Sequence, residues 1–157
     1  MAVYTYIIKN TNKETVVKVD AVVNASGTIA LTDLTSDDQE LISGGTPTVN
    51  IVKAIFTGEL GSAIRITRNG ENILACAPEN APMLDLNSNG ITENRHNTHN
   101  IVIVKEGSAG VPVTGYLVLR KVEGWQSKVE YEKYGAYDDE TAVGALTDVM
   151  GSPDYTG

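Results

Sequence analysis

The chain has 157 residues, a formal net charge of −8, an isoelectric point near 4.7, and 41% hydrophobic against 20% charged residues. That length supports one domain with a hydrophobic core and gives little reason to expect two. The acidic balance disfavours nucleic acid or an anionic membrane surface as partner, because phosphate binding needs clustered Lys and Arg. Fifteen glycines with abundant Val, Thr and Asn favour strands joined by tight turns, so the expected class is all-β.

Cys76 is the single cysteine, which rules out an internal disulfide framework and reads as a small apolar strand residue. Residues 1–10 lack the basic start, apolar run and small-residue cleavage site of a secretory leader, and no apolar run approaches the roughly 18 residues of a membrane span. Synthesis in a cytoplasm is therefore expected.

In chain order, residues 3–9 and 15–25 alternate in β-branched and aromatic residues on either side of the turn formers Asn10 to Lys13, which predicts a hairpin. A short third strand follows over 28–31. Ser36 precedes Asp37, Asp38 and Glu40, a helix N-terminal pattern that Gly44 and Gly45 would end, predicting one or two helical turns. The long strand 49–57 places Val49, Ile51, Lys53 and Ile55 on one face and Val52, Ala54 and Phe56 on the other. Lys53 is the odd polar member of an apolar row, so a bulge or an edge is expected nearby.

Asn69-Gly70 between residues 63–68 and 71–77 is the strongest hairpin signal, because a type I′ turn needs positive φ at both central positions. Ile64, Ile66 and Ile73 are expected to fill the core from this hairpin. Pro78 and Pro82 break the sheet, 83–86 is a short strand, and 87–100 is a polar loop rich in Asn. Strands resume at 101–104 and 116–122 around a glycine turn. This succession predicts an antiparallel β-sandwich, jelly-roll-like, over residues 1–124.

Composition changes after Gly124. Residues 126–157 hold seven acids (Glu130, Glu132, Asp138, Asp139, Glu140, Asp148, Asp154) against Lys128 and Lys133. Trp125, Tyr131, Tyr134, Tyr137 and Tyr155 accompany them, more aromatics than a solvated tail needs. The segment 125–157 reads as an acidic, Tyr-rich C-terminal arm whose rings bury area on a neighbour, or as a terminus folded back on its own domain. Arg65 and Arg68, read as outward on one strand, could meet an acidic partner surface or simply be solvated strand charges.

Asp85, Asn87, Asn89 and Glu93 follow the opening spacing of a calcium loop, with Gly90 at the turn, but His96 stands where a bidentate Glu closes such a loop. The alternative is an Asx-rich turn. His96 and His99, three apart, lack a completing cysteine or carboxylate set for zinc. No serine occupies a nucleophile elbow and no glycine-rich phosphate loop is present, so neither catalysis nor a cofactor is expected.

Residues 14–21 (ETVVKVDA), 50–74, 100–104 (NIVIV) and 115–122 together resemble small virion structural proteins of tailed bacteriophages, of the T4-like and marine cyanophage type. There, a strand pair of the form I-x-I-x-R-x-G-x-x-x-I-L is followed by a D-L element, an N-I-V strand and a final L-x-L-x-K strand, in the order found here. The resemblance implies a non-enzymatic virion component, a capsid decoration or cement protein bound to the major capsid protein or to neck proteins, and a homo-oligomer. Neck, collar or tail association is the alternative within that class. A carbohydrate- or cell-surface-binding β module, stacking sugars on Trp125 and exposed tyrosines, is the alternative outside it.

Overall fold

The computed structural model describes residues 3–78, 83–86 and 88–127. Its elements are β1 (Tyr4–Asn10), β2 (Glu14–Ala21), β3 (Ser26–Ile29), a 3-10 turn (Leu31–Leu34), β4 (Gln39–Leu41), β5 (Thr48–Gly58), β6 (Ser62–Arg68), β7 (Glu71–Cys76), β8 (Met83–Asp85), β9 (Ile101–Gly107), β10 (Val113–Glu123) and β11 (Trp125–Ser127). By packing, the described residues divide into those of 3–36 with 41–125, and 37–40 with 126–127. Within the second unit, Gln126 Nε2 donates to Glu40 Oε2 at 2.6 Å. Residues 128–157, with Tyr131, Tyr134, Tyr137 and Tyr155, lie outside the described residues.

The first unit is an antiparallel sandwich of a five-stranded sheet, β1-β2-β10-β5-β8, and a four-stranded sheet, β3-β9-β6-β7. The pairs nest along the chain, β2 with β10, β3 with β9, β5 with β8 and β6 with β7. An antiparallel ribbon folded once and rolled into two sheets produces this order, which is the jelly roll. Alternation along each strand fills the space between the sheets: Val17 and Val19, Ile64 and Ile66, Ile101 and Ile103, Leu117 and Leu119 all point inward and are buried.

Register explains where simple alternation misleads. Val118 pairs with Lys53 but Leu119 pairs with Ile51, so Val52 is an extra residue, a β-bulge. Val49 and Ile51 face inward before it and Ala54 and Phe56 after it. Lys53 and Ile55 are thereby turned outward, and the polar residue that a straight strand would bury stays at the surface. Arg68, Thr67 and Ile66 pair with Glu71, Asn72 and Leu74, which makes Ile73 the extra residue of β7. Leu74, not Ile73, therefore packs on the core. Asn69 and Gly70 have φ of 54° and 75°, as the type I′ turn requires.

The helical turns expected after Ser36 are absent, because the Ser36 hydroxyl donates to Asn12 Oδ1 at 2.7 Å instead of capping, and 39–41 are extended. A helical turn forms earlier, over Leu31–Leu34, where the i, i+3 spacing eclipses two leucines and buries both. The expected strand over 28–31 correspondingly ends at Ile29.

One close approach lies within the five-stranded sheet. Gly115 stands between Val19 and Phe56 on the inner face, and a Cβ there would lie 2.0 Å from Phe56 Cδ1 and 2.6 Å from the Ile55 carbonyl oxygen. The Phe56 ring occupies the space that a side chain at 115 would need. Gly115→Ala is expected to destabilise the fold by about 1–3 kcal/mol through overpacking, read as a lower urea midpoint at unchanged slope.

Candidate functional site

Arg68 is 1% exposed, because on β6 it shares the inward parity of Ser62, Ile64 and Ile66. Arg65 lies three residues away and, on a strand of period two, on the opposite face, so the expectation of two outward arginines is corrected. Arg68 Nη1 donates to the Val49 carbonyl (2.7 Å), Nε and Nη2 to that of His99 (3.0 and 2.8 Å), and Nη2 to that of Asn97 (3.0 Å). Burial pulls its pKa down to about 10, with the Glu93 charge acting in the opposite direction, so it is cationic at neutral pH. A planar fork meeting three carbonyls from two separate segments is a structural clamp.

The histidines belong to that clamp's loop. Their rings meet edge to face at 5.7 Å. His96 has φ of 55° and places Nε2 3.1 Å from Glu71 Oε1 and Nδ1 3.4 Å from Asn69 Nδ2. The hydrogen bond from His96 leads the causes that hold the Glu71 carboxyl below its usual range, followed by the charges of His96 and Arg95. Both nitrogens of His96 thus serve the tip of the β6–β7 hairpin. Among the described residues no three of His, Cys, Asp and Glu gather as a metal set.

Asp85 builds an Asx turn. Its carboxylate accepts the Ser88 N–H (3.0 Å), and the Asn89 side chain donates to its carbonyl (2.9 Å). The Ser88 bond and then the Lys53 charge at 3.5 Å hold the carboxyl below its usual range. Glu93 accepts the Arg95 N–H (3.4 Å) and acts on Arg68, so it serves the arginine side of the loop. Asn87 lies outside the described residues. Arg65 forms a two-pronged pair with Glu106, Nη2 to Oε2 at 2.6 Å and Nε to Oε1 at 3.3 Å, and also donates to Asn72. Burial pushes the Cys76 thiol up, away from reactivity.

Trp125 belongs to the sandwich, not to an arm beginning at 125. Its ring packs against the core, Nε1 donates to Thr35 Oγ1 (3.0 Å), and Lys121 Nζ sits 5.4 Å from the ring centroid. Lys121 Nζ also donates to Asn10 Oδ1 and to the Thr11 carbonyl, both at 2.8 Å. Burial lowers its pKa to about 8.

The feature that chain-order reading missed is a row crossing the whole five-stranded sheet. Tyr6 pairs with Lys18, Lys18 with Tyr116, Tyr116 with Ile55, and Ile55 with Met83. Direct cross-strand partners project from one face, here the outer one. Tyr6 is 49%, Tyr116 36% and Met83 59% exposed, with Tyr4 at 47% beside them. The nearby charges compensate one another, Lys18 with Asp20 at 3.9 Å and Lys53 with Asp85 at 3.5 Å. A face of tyrosines and methionine with balanced charge, on a chain of net charge −8, has the composition of a protein interface core. The parity of Tyr4 and Tyr6 was readable, but their alignment with Tyr116 and Met83 required the register.

The chain matches no protein-family model and no curated protein. Solved structures with partial likeness include a cupin superfamily protein from Desulfitobacterium hafniense DCB-2, at 12% identity and a TM-score of 0.32, covering 77% of this chain and 78% of that one. At that score the likeness carries no functional inference, and strand order alone defines the jelly roll.

Two outcomes follow from the clamps. Arg68→Met and Arg68→Lys are both expected to lose roughly 2–4 kcal/mol in denaturant unfolding, since three carbonyls lose their shared donor and an ammonium cannot reproduce the fork. For Lys121, the folded pKa of about 8 lies below the ordinary 10.5, so between those values the unfolded state binds more protons. Its contribution to stability therefore rises with pH across that window, while its full cost applies below about pH 8. Lys121→Met is expected to flatten this rise in urea midpoints measured from pH 7 to 10.5.

Proposed function

We propose that this chain is a non-enzymatic virion structural protein of a tailed bacteriophage, a capsid decoration or cement protein that docks on other virion proteins. The observation that carries the reading is the Tyr6-Lys18-Tyr116-Ile55-Met83 row on the outer face of the five-stranded sheet. Its resemblance to phage virion proteins supplies the partner class. The mechanism is association. Tyrosine and methionine side chains leave water against a shell surface, balanced charges avoid a large desolvation cost, and each copy raises particle stability by mass action. The acidic Tyr-rich segment 128–157 serves in this proposal as a second contact, which would multiply affinity through effective concentration.

A second reading has one specific observation behind it. Tyr6 and Tyr116 flank Lys18 on a sheet face, an arrangement that could stack sugar rings at a cell surface. The test separates the two. Purified chain is added to phage heads lacking it, and bound protein is measured by co-sedimentation. Wild type is expected to bind saturably, and Tyr6→Ser/Tyr116→Ser at least tenfold more weakly, as expected for interface tyrosines, with an unchanged circular dichroism spectrum. Failure of the wild type to bind heads, or equal binding by the double variant, overturns the docking proposal. Saturable glycan binding by wild type, lost in the same variant, would replace it with the second reading.

A further inference from the structure

The inner row next to the tyrosine row runs Ile7-Val17-Leu117-Ala54-Leu84, and its end residues Ile7 and Leu84 are exposed. At the Ile7 end, between β1 and β3, lies a groove of about 220 Å³. Ile7, Ile29 and Leu34 supply aliphatic walls, and Thr5, Thr28 and Asp33 supply polar groups. Among the described residues the Asp33 carboxylate has no ion pair, and the Thr5 and Thr28 hydroxyls have no hydrogen bond. Thr28, next to the buried Ile29 on β3, projects to the other face, so the acceptors beside the apolar floor are the Thr5 hydroxyl and the charged, exposed Asp33.

Each property narrows the ligand. Small-molecule sites span about 300–1,000 Å³, so this groove is sized for a side chain. Its walls match a methylene stem, and its carboxylate and the Thr5 hydroxyl match a cationic donor at the stem's end. The strands on both sides are sheet edges, β1 of the five-stranded and β3 of the four-stranded sheet, so each offers unpaired main-chain groups to an extended segment. The chain's net charge of −8 favours the approach of a basic segment over an acidic one.

We propose that the β1–β3 groove is a docking site for an extended segment of a partner protein that inserts one lysine or arginine side chain toward Asp33. This site is separate from the tyrosine face and does not rest on the virion reading. Any partner presenting a basic residue between small or β-branched residues would fit it.

The full ¹⁵N-labelled chain is titrated with the acetylated, amidated pentapeptide Thr-Val-Lys-Val-Thr and, separately, with the same peptide carrying norleucine for lysine. Saturable amide shifts centred on Thr5, Ile7, Thr28, Ile29 and Asp33 are expected, with the lysine peptide binding at least fivefold more tightly. Asp33→Asn is expected to abolish that preference while the remainder of the spectrum is unchanged. Scattered or unsaturable shifts, equal binding of the norleucine peptide, or a preference surviving Asp33→Asn overturns the proposal. n-Butylammonium binding as tightly as the lysine peptide would overturn the extended-segment part, since it offers the stem and charge with no main chain.

Discussion

The Arg68 guanidinium is the interaction on which the arrangement of this sandwich depends. It stands at the end of β6, where the next inward position faces the mouth between the sheets, and its donors reach carbonyls of Val49 at the start of β5 and of Asn97 and His99 in the connection between β8 and β9. Those segments are far apart in sequence, and β5 belongs to the other sheet from Arg68's own β6. A buried cation is costly unless its donors are satisfied, so the loop must adopt the one path that presents its carbonyls. The positive φ at His96 and the Val49 N–H to Asn97 carbonyl bond (3.0 Å) are parts of that path. Lys105 repeats the device elsewhere, its buried Nζ donating to Asn24 Oδ1 and the Ser108 carbonyl.

With the ends clamped, the bulges determine which side chains face outward. The extra residue at Val52 turns Lys53 and Ile55 outward, which pairs Lys53 with Asp85 and aligns Ile55 with Tyr116 and Met83. Without it the apolar row of β5 would carry Lys53 into the core and the tyrosine row would be interrupted. The bulge between Ile7 and Lys9 acts at the opposite edge. There Ile8 is the extra residue, while Ile7 remains in the lateral groove. The same local irregularities that spare the core a polar residue thus give the molecule an outer apolar face and a shaped edge.

The proposed association draws on which polar groups are already committed within the fold. The polar residues that looked most like ligands are committed to structure, with Asp85 in an Asx turn, His96 bridging Glu71 and Asn69, and Glu93 beside the arginines. The outer face of the five-stranded sheet leaves Tyr4, Tyr6, Tyr116 and Met83 exposed beside the Lys18–Asp20 and Lys53–Asp85 pairs. Surfaces of that kind gain from losing water against a partner, which is the physical content of the virion-component reading.

The local period and the turn chemistry were enough to determine most strands, the type I′ turn at Asn69-Gly70 and the sandwich class, because alternation and positive-φ preferences act between neighbours in the chain. They also signalled trouble at Lys53, where an apolar row met a charge. They did not show which residue bulged, so Ile73 was assigned to the core that Leu74 fills, nor that Arg68 has inward parity with Ile64 and Ile66. The β5 register and the centre of the tyrosine row depend on strands distant in the chain, as in Lys18 beside Tyr116, the Arg68 clamp reaches carbonyls 19 to 31 residues away, and no local rule encodes those pairings. Tertiary structure alone decided which side chains share a face, because the nested jelly-roll pairing sets the cross-strand neighbours and the buried cations determine how the connecting loops close over them.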